Sequence, residues 1–112
     1  MKSIILILLL LTVVSSMSLS VCVDQLQLTV GTIEIKDFSF QPDSITVPVG
    51  TTVTWINGDQ VSHTVTSNDG KFDSAAIKNG GEFNFTFTQP GTYSYYCKIH
   101  PSMKGVVTVT AA

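Results

Sequence analysis

The 112-residue sequence contains no arginine, and its six lysines are outnumbered by eight aspartates and glutamates. Its formal net charge is −2 at pH 7. Proteins that bind nucleic acids usually carry a basic stripe or patch that neutralises the phosphates. We therefore expect no nucleic-acid partner.

Cysteine is also scarce, with only two in the chain. Cys22 ends an apolar leader, so Cys97 is the one cysteine beyond it. Exported proteins mostly use cysteines in disulfides, which a single cysteine cannot form. A lone thiol in an oxidising compartment is at risk of oxidation unless something protects it. A bound metal ion would do so.

Residues 1–22 have the order of a secretory signal peptide. Lys2 supplies a positive charge, residues 4–14 are apolar except for Thr12, and residues 15–20 are mostly small. The apolar run is shorter than the ~20 residues that a helix needs to cross a bilayer. We predict an exported protein, located in the periplasm or on the outer face of the cytoplasmic membrane.

The end of this leader also resembles a lipoprotein-type signal, in which a lipidated Cys22 would tether the protein to a membrane. Val21 departs from the small residue that usually precedes such a cysteine. The sequence leaves two alternatives open. One is ordinary cleavage near Ser18 or Ser20, and the other is an uncleaved leader that stays as an anchor.

Beyond the leader, apolar and polar residues alternate with a period of two, as in Phe83, Phe85 and Phe87. Turns rich in Gly, Pro, Asn and Asp separate these runs. The pattern predicts an all-β Greek-key sandwich of seven to eight strands. We assign this domain to residues 32–112, preceded by a short segment or extra strand over residues 23–31.

The phase of the alternation changes in the first run. Ile33 and Ile35 are odd positions, whereas Phe38 and Phe40 are even. A bulge or bend near Asp37 would keep both pairs on the core, and we predict one there.

Cys97, His100 and Met103 stand three residues apart in the stretch YYCKIHPSMKG. Such spacing would place them on one face of a helix, but Pro101 and the strand-like run before them disfavour a helix. We predict instead a tight loop between two strands, in which the three side chains converge. His63, the other histidine of the chain, stands at the start of another strand-like run. It is the candidate fourth member of this group of converging side chains.

Two imidazoles, a thiolate and a thioether discriminate among metals. Structural zinc prefers thiolates and imidazoles, and calcium and magnesium prefer oxygen ligands. Two histidines and a cysteine in a plane, with a weak axial methionine, form a blue-copper site. We predict one type 1 copper ion bound by His63, Cys97, His100 and Met103.

Residues 33–109 resemble the small cupredoxins of the plastocyanin and azurin group, most of all amicyanin. The resemblance is carried by TVPVGTTVTWING at 46–58, by His63, by AAIKNGGEFNFTFTQPGTYSYYC at 75–97 and by the C-x-x-H-x-x-M loop. Plastocyanin-like members have a longer gap between His and Met. One departure is Thr64, because many relatives place there an Asn that ties the two ligand loops together.

The resemblance implies a monomeric carrier of single electrons between redox protein partners. In the family, the edge of the histidine at position 100 reaches the surface beside an apolar docking patch that would include Pro101. Tyr96 is a second candidate exit for the electron, although it is equally well explained as a half-exposed strand aromatic. We interpret Asp59, Lys98 and Lys104 as solvated surface residues.

Four protein ligands leave no open position for a substrate, and both histidines are already used, so we expect a protein without enzymatic activity. Two alternatives remain. One is a copper delivery or storage module that exchanges its ion. The other is a thiol hydrolase with Cys97 as nucleophile and a histidine as base, although the chain offers little room for a cleft.

Overall fold

The computed structural model describes residues 31–111, which form eight strands. The strands are β1 (Thr32–Lys36), β2 (Ser39–Gln41), β3 (Ser44–Pro48), β4 (Thr52–Asn57), β5 (Thr66–Ser67), β6 (Glu82–Thr86), β7 (Gly91–Tyr96) and β8 (Lys104–Thr110). Within this part of the chain no helix is present that could span a membrane. The predicted signal peptide, Cys22 and the segment 23–31 lie outside the described residues.

The strands form two four-stranded sheets, in the orders β2-β1-β4-β6 and β3-β8-β7-β5. The pairs β1–β4 and β3–β8 are parallel, and the other pairs are antiparallel. Parallel strands need crossover connections. Here the chain passes through β3 of the other sheet between β1 and β4, and through β4 and β6 of the other sheet between β3 and β8. The predicted all-β Greek-key sandwich of seven to eight strands is confirmed.

Alternate residues of most strands point into one apolar core between the sheets. Ile33 and Ile35 of β1 and Val53 and Trp55 of β4 are fully buried there. Burying one large apolar side chain stabilises a fold by about 1.5–3 kcal/mol. Aromatic rings fill the middle of the core, and the Trp55 ring lies 5.5 Å from that of Tyr95.

The predicted bend near Asp37 is a two-residue hairpin turn between β1 and β2. Asp37 and Phe38 both have positive φ, at 53° and 56°, as the tightest hairpin turns require. Phe40 is buried, as predicted, but Phe38 is 51% exposed. The prediction that both phenylalanines lie on the core is therefore wrong for Phe38. As a corner residue of the turn, it carries its ring off the sheet.

Strands β7 and β8 form the hairpin that holds the loop 97–103. Gly105 is a restricted position in this hairpin. Gly105 is paired with Tyr95 across the hairpin. A Cβ atom at position 105 would lie 2.3 Å from the Tyr95 ring. Only glycine allows the ring to cross β8 here and stay buried.

Candidate metal centre

The loop between β7 and β8 closes on itself through backbone hydrogen bonds. The N–H of Cys97 donates to the carbonyl of Met103 at 3.1 Å, and the N–H of Met103 donates to the carbonyl of His100 at 2.9 Å. Cys97 directly follows Tyr96, the last residue of β7. The loop thus holds three of the predicted ligands within one compact turn.

The fourth predicted ligand, His63, is held from the other side by its own backbone. It exchanges two hydrogen bonds with Ile77, at 3.1 and 2.7 Å. The buried Asn57 amide donates to the carbonyls of Ile77 and Val61, and its oxygen accepts the Asp59 N–H. These bonds hold the irregular segment before His63 in place.

Three donor atoms converge on one point. The Nδ1 atoms of His63 and His100 are 3.2 Å apart, and Cys97 Sγ lies 3.7 and 3.9 Å from them. The centre of such a triangle lies about 2.1 Å from each corner, close to the ~2.0–2.1 Å and ~2.3 Å that a divalent ion such as zinc keeps from His nitrogen and Cys sulfur. The three side chains therefore fit a single metal ion.

Met103 is 4% exposed and belongs to the same closed loop. His63 and Cys97 are fully buried, and His100 is partly exposed. Together the four side chains have the arrangement of a type 1 copper site. This donor set suits copper better than zinc, because a thioether is not a usual zinc ligand.

The ring of His63 is oriented by Asp59. Asp59 Oδ2 lies 2.8 Å from His63 Nε2, which fixes the proton on that nitrogen and leaves Nδ1 free as a donor to the metal. The same carboxylate accepts the backbone N–H groups of Asp37 and Phe38. Burial acts to raise the pKa of Asp59, but the hydrogen bonds from Phe38, His63 and Asp37 outweigh it and lower the pKa.

The sequence-based interpretation of Asp59 as a solvated surface residue was wrong. Asp59 stands four residues before His63, but the two lie in an irregular loop, and no periodic pattern predicts which side chains meet there. A carboxylate within a few residues of a predicted ligand histidine was the only available signal.

Phe38 is a second residue that sequence reasoning missed. Its ring stands edge-on to both ligand rings, with centroids 5.3 Å from His63 and 4.9 Å from His100. Asp59 therefore links His63 to the turn that places Phe38 over both histidines. The β1–β2 turn becomes part of the site.

Lys98 also differs from its sequence-based interpretation, because it forms an ion pair with Asp73. This contact and the N–H of Ala75 are the main causes that lower the pKa of Asp73. Both side chains are about half exposed, so the pair contributes little to stability. The pair is of interest because Lys98 lies in the ligand loop, directly after Cys97.

A cupredoxin-like domain model matches residues 3–109 of the sequence. The chain belongs to the cupredoxin-like family. It is 37% identical over 82 residues to amicyanin from Paracoccus denitrificans. That match covers 69% of this chain and 63% of the amicyanin, so the chain spans less than two thirds of that relative's length. The predicted resemblance to cupredoxins and to amicyanin is confirmed.

Solved structures support the same assignment. A Cu(I) form of an amicyanin mutant superposes with a TM-score of 0.67 at 32% identity, over 70% of this chain and 80% of that one. A copper-containing nitrite reductase from Thermus scotoductus gives the same TM-score at 34% identity, but the match covers only 22% of it. The fold is thus shared with amicyanin and with part of a copper-containing nitrite reductase.

Proposed function

We propose that this cupredoxin is an exported type 1 copper protein that carries single electrons between redox protein partners. The proposed ligands are His63, Cys97, His100 and Met103. The observation that carries the proposal is the buried triangle of two Nδ1 atoms and one Sγ atom, which is sized for one ion. When bound, copper supplies a centre that accepts and releases one electron.

The protein's own contribution is to hold the donors in one geometry. Cys97 supplies the charged donor, and its fully buried sulfur is shielded from oxidants in solvent. His63 is fixed at both ends, by its backbone bonds to Ile77 and by Asp59 at Nε2. Donors held this firmly move little when the charge of the ion changes, and a small rearrangement favours fast electron transfer.

His100 provides the route to the surface. Its ring is partly exposed, and exposed apolar side chains lie beside it in Phe38 and Ile99. Pro101, also exposed, extends this surface. A small apolar patch around the ligand edge suits brief docking of redox proteins, since weak electron-transfer encounters use small interfaces. We propose that the carrier acts as a monomer.

We propose a carrier without enzymatic activity. The four proposed ligands fill the donor positions of a type 1 site, so none is left for a substrate. The sequence has two histidines, and both belong to the proposed site. A second copper site built from histidines cannot be formed within this chain.

The test is the visible absorption spectrum of the purified protein after addition of Cu(II) and then of ascorbate. We expect an intense blue band that disappears on reduction and returns on reoxidation, and we expect Cys97→Ser to abolish it. Ser94→Ala, a change of an exposed residue on β7, is the matched control and should keep the band. Copper that a mild chelator removes, without a reversible blue band, would instead indicate copper delivery or storage.

A further inference from the structure

A row of hydrogen bonds runs from Lys98 in the ligand loop, through two threonines, to Asp73. The Lys98 N–H donates to Thr64 Oγ1 at 2.8 Å. Thr64 Oγ1 lies 3.0 Å from Thr66 Oγ1, which lies 3.3 Å from Asp73 Oδ1. Both threonines are buried, with 4% and 6% of their surface exposed. The row joins the segment after His63 to the residue after Cys97.

The chemistry of the groups fixes the direction of this row. The Asp73 carboxylate is ionised and can only accept, so the Thr66 hydroxyl must donate to it. Thr66 then accepts from the Thr64 hydroxyl, whose remaining lone pairs accept the Lys98 N–H. Every bond therefore runs from the ligand loop towards Asp73. Hydrogen bonds aligned in one direction polarise and strengthen one another.

The far end of the row is fastened as well. Asp73 Oδ1 also accepts the Ala75 N–H at 2.9 Å, and Asp73 Oδ2 pairs with the Lys98 ammonium. Lys98 is thus held twice, by its backbone N–H at one end of the row and by its side chain at the other. The peptide that follows Cys97 has little freedom to move.

Thr64 acts on the sulfur of Cys97 directly. Its backbone N–H donates to Cys97 Sγ at 3.3 Å. Such a bond withdraws electron density from a thiolate, which disfavours Cu(II) relative to Cu(I) and raises the reduction potential. The length of this bond depends on how closely the Thr64 and Cys97 segments are held together. The hydroxyl of Thr64 holds them together.

We propose that Thr64, Thr66 and Asp73 form a directional clamp that positions Cys97 and sets the reduction potential of the site. The inference rests on the proposed copper function. In this chain a Thr-Thr-Asp row would take the place of the asparagine that many cupredoxins have directly after the first ligand histidine. The three residues are positioning residues, because they act through Cys97 and the peptide that follows it.

The test compares three changes in the full chain. Thr64→Val removes the hydroxyl while keeping the shape of the side chain, and we expect a lower reduction potential and about tenfold faster copper release. Thr66→Val leaves the Lys98 N–H bonded to Thr64 but separates Thr64 from Asp73, and we expect smaller changes in the same direction. Thr64→Ser restores the hydroxyl and should restore both quantities.

Thr54→Val is the matched control. Thr54 also uses its hydroxyl for a side-chain bond, to Asn84, but it lies on β4 in the other sheet. We expect wild-type potential and copper release from it. If Thr54→Val changes the potential as much as Thr64→Val, the clamp is overturned in favour of a general loss of stability.

Amide hydrogen exchange of the metal-free protein tests the clamp without copper. We expect the Lys98 amide to lose protection in Thr64→Val, to keep most of it in Thr66→Val and to recover it in Thr64→Ser. Unchanged exchange at Lys98 together with an unchanged potential would overturn the inference, even where the wild-type blue band upholds the proposed function. Absence of that band in the wild type would instead overturn the function.

Discussion

The hydrogen bonding of buried polar side chains differs between two regions of this sandwich. In segment 57–67, which carries His63, five polar side chains are buried and each makes hydrogen bonds: Asn57, His63, Thr64, Thr66 and Ser67. In the aromatic middle, the buried Trp55 indole N–H and Tyr95 hydroxyl make no well-aligned hydrogen bond within residues 31–111, although the indole lies near enough to the hydroxyl to lower its pKa in part.

The difference follows from what each region has to do. The metal centre needs donor atoms at fixed distances, and directional hydrogen bonds provide that control. The core needs volume and shape, which the rings of Trp55 and Tyr95 supply, and it tolerates the cost of an unpaired polar atom. The following changes test this contrast, in order of decreasing expected effect.

Asn57→Ala should have the largest effect. It leaves the Val61 carbonyl and the Asp59 N–H without their partner and removes a donor to the Ile77 carbonyl. With two buried or half-buried backbone groups unpaired, we expect the free energy of unfolding of the metal-free protein to fall by about 3 kcal/mol. Urea denaturation measures it.

The matched control for this change is Asn84→Ala. Asn84 is exposed and accepts a single hydrogen bond from Thr54. We expect a loss within about 0.5 kcal/mol. Equal losses from the two changes would show that burial of the asparagine at position 57 does not matter.

Alkaline pH should destabilise the protein through Tyr95. Burial raises the pKa of Tyr95 to about 12 from 10.0, although the neighbouring Trp55 acts in the opposite direction. The unfolded chain therefore loses this proton first, so stability is complete below pH 10 and falls as pH rises towards 12. Two pKa units correspond to about 2–3 kcal/mol. Urea denaturation at several pH values, compared with Tyr95→Phe, isolates this contribution from that of the lysines.

Asp59→Asn should have an intermediate effect. The amide keeps one oxygen that can accept, but its NH2 group then faces an N–H donor, so at least one of the hydrogen bonds from His63, Asp37 and Phe38 is lost and the others lose their charge. Because these groups are partly exposed, we expect a loss of about 1–2 kcal/mol in the metal-free protein. Asp69→Asn is the control, since Asp69 makes one long contact in an exposed turn. A loss no larger than that of the control would mean that Asp59 does not fix the site.

Tyr95→Phe should have the smallest effect at neutral pH. It removes an unpaired hydroxyl, and we expect stability within about 0.5 kcal/mol of the wild type, or slightly above it. Tyr93→Phe is the counterpart, because the Tyr93 hydroxyl donates to the Gln89 carbonyl at 2.7 Å and its loss should cost about 1 kcal/mol. A clear loss from Tyr95→Phe would reveal a partner and remove the contrast between the two regions.

Much of the fold could be predicted from the sequence, because burial on one face of a strand leaves a pattern with period two. Val53 and Trp55, or Val107 and Val109, show which residues point inwards without any knowledge of their neighbours. The candidate ligands could be predicted too, because copper restricts the donor types and the hairpin loop places three of them in one short stretch.

The supporting residues of the site could not be predicted in the same way. Asp59 and Phe38 meet the histidines only because of the conformations of a loop and of a two-residue turn. Thr64 and Lys98 are 34 positions apart, and their contact depends on the antiparallel pairing of β5 with β7 in one sheet. Such contacts are specified by tertiary structure, and short stretches of sequence carry no trace of them.

The pairing of Gly105 with Tyr95 restricts the order in which this sequence can evolve. A side chain at position 105 would overlap the Tyr95 ring, which the surrounding core holds in place. Any lineage that acquires a larger residue at 105 must therefore first have lost the ring at 95. The reverse order passes through an intermediate in which the new side chain overlaps the Tyr95 ring, so change at position 95 is expected to come before change at position 105.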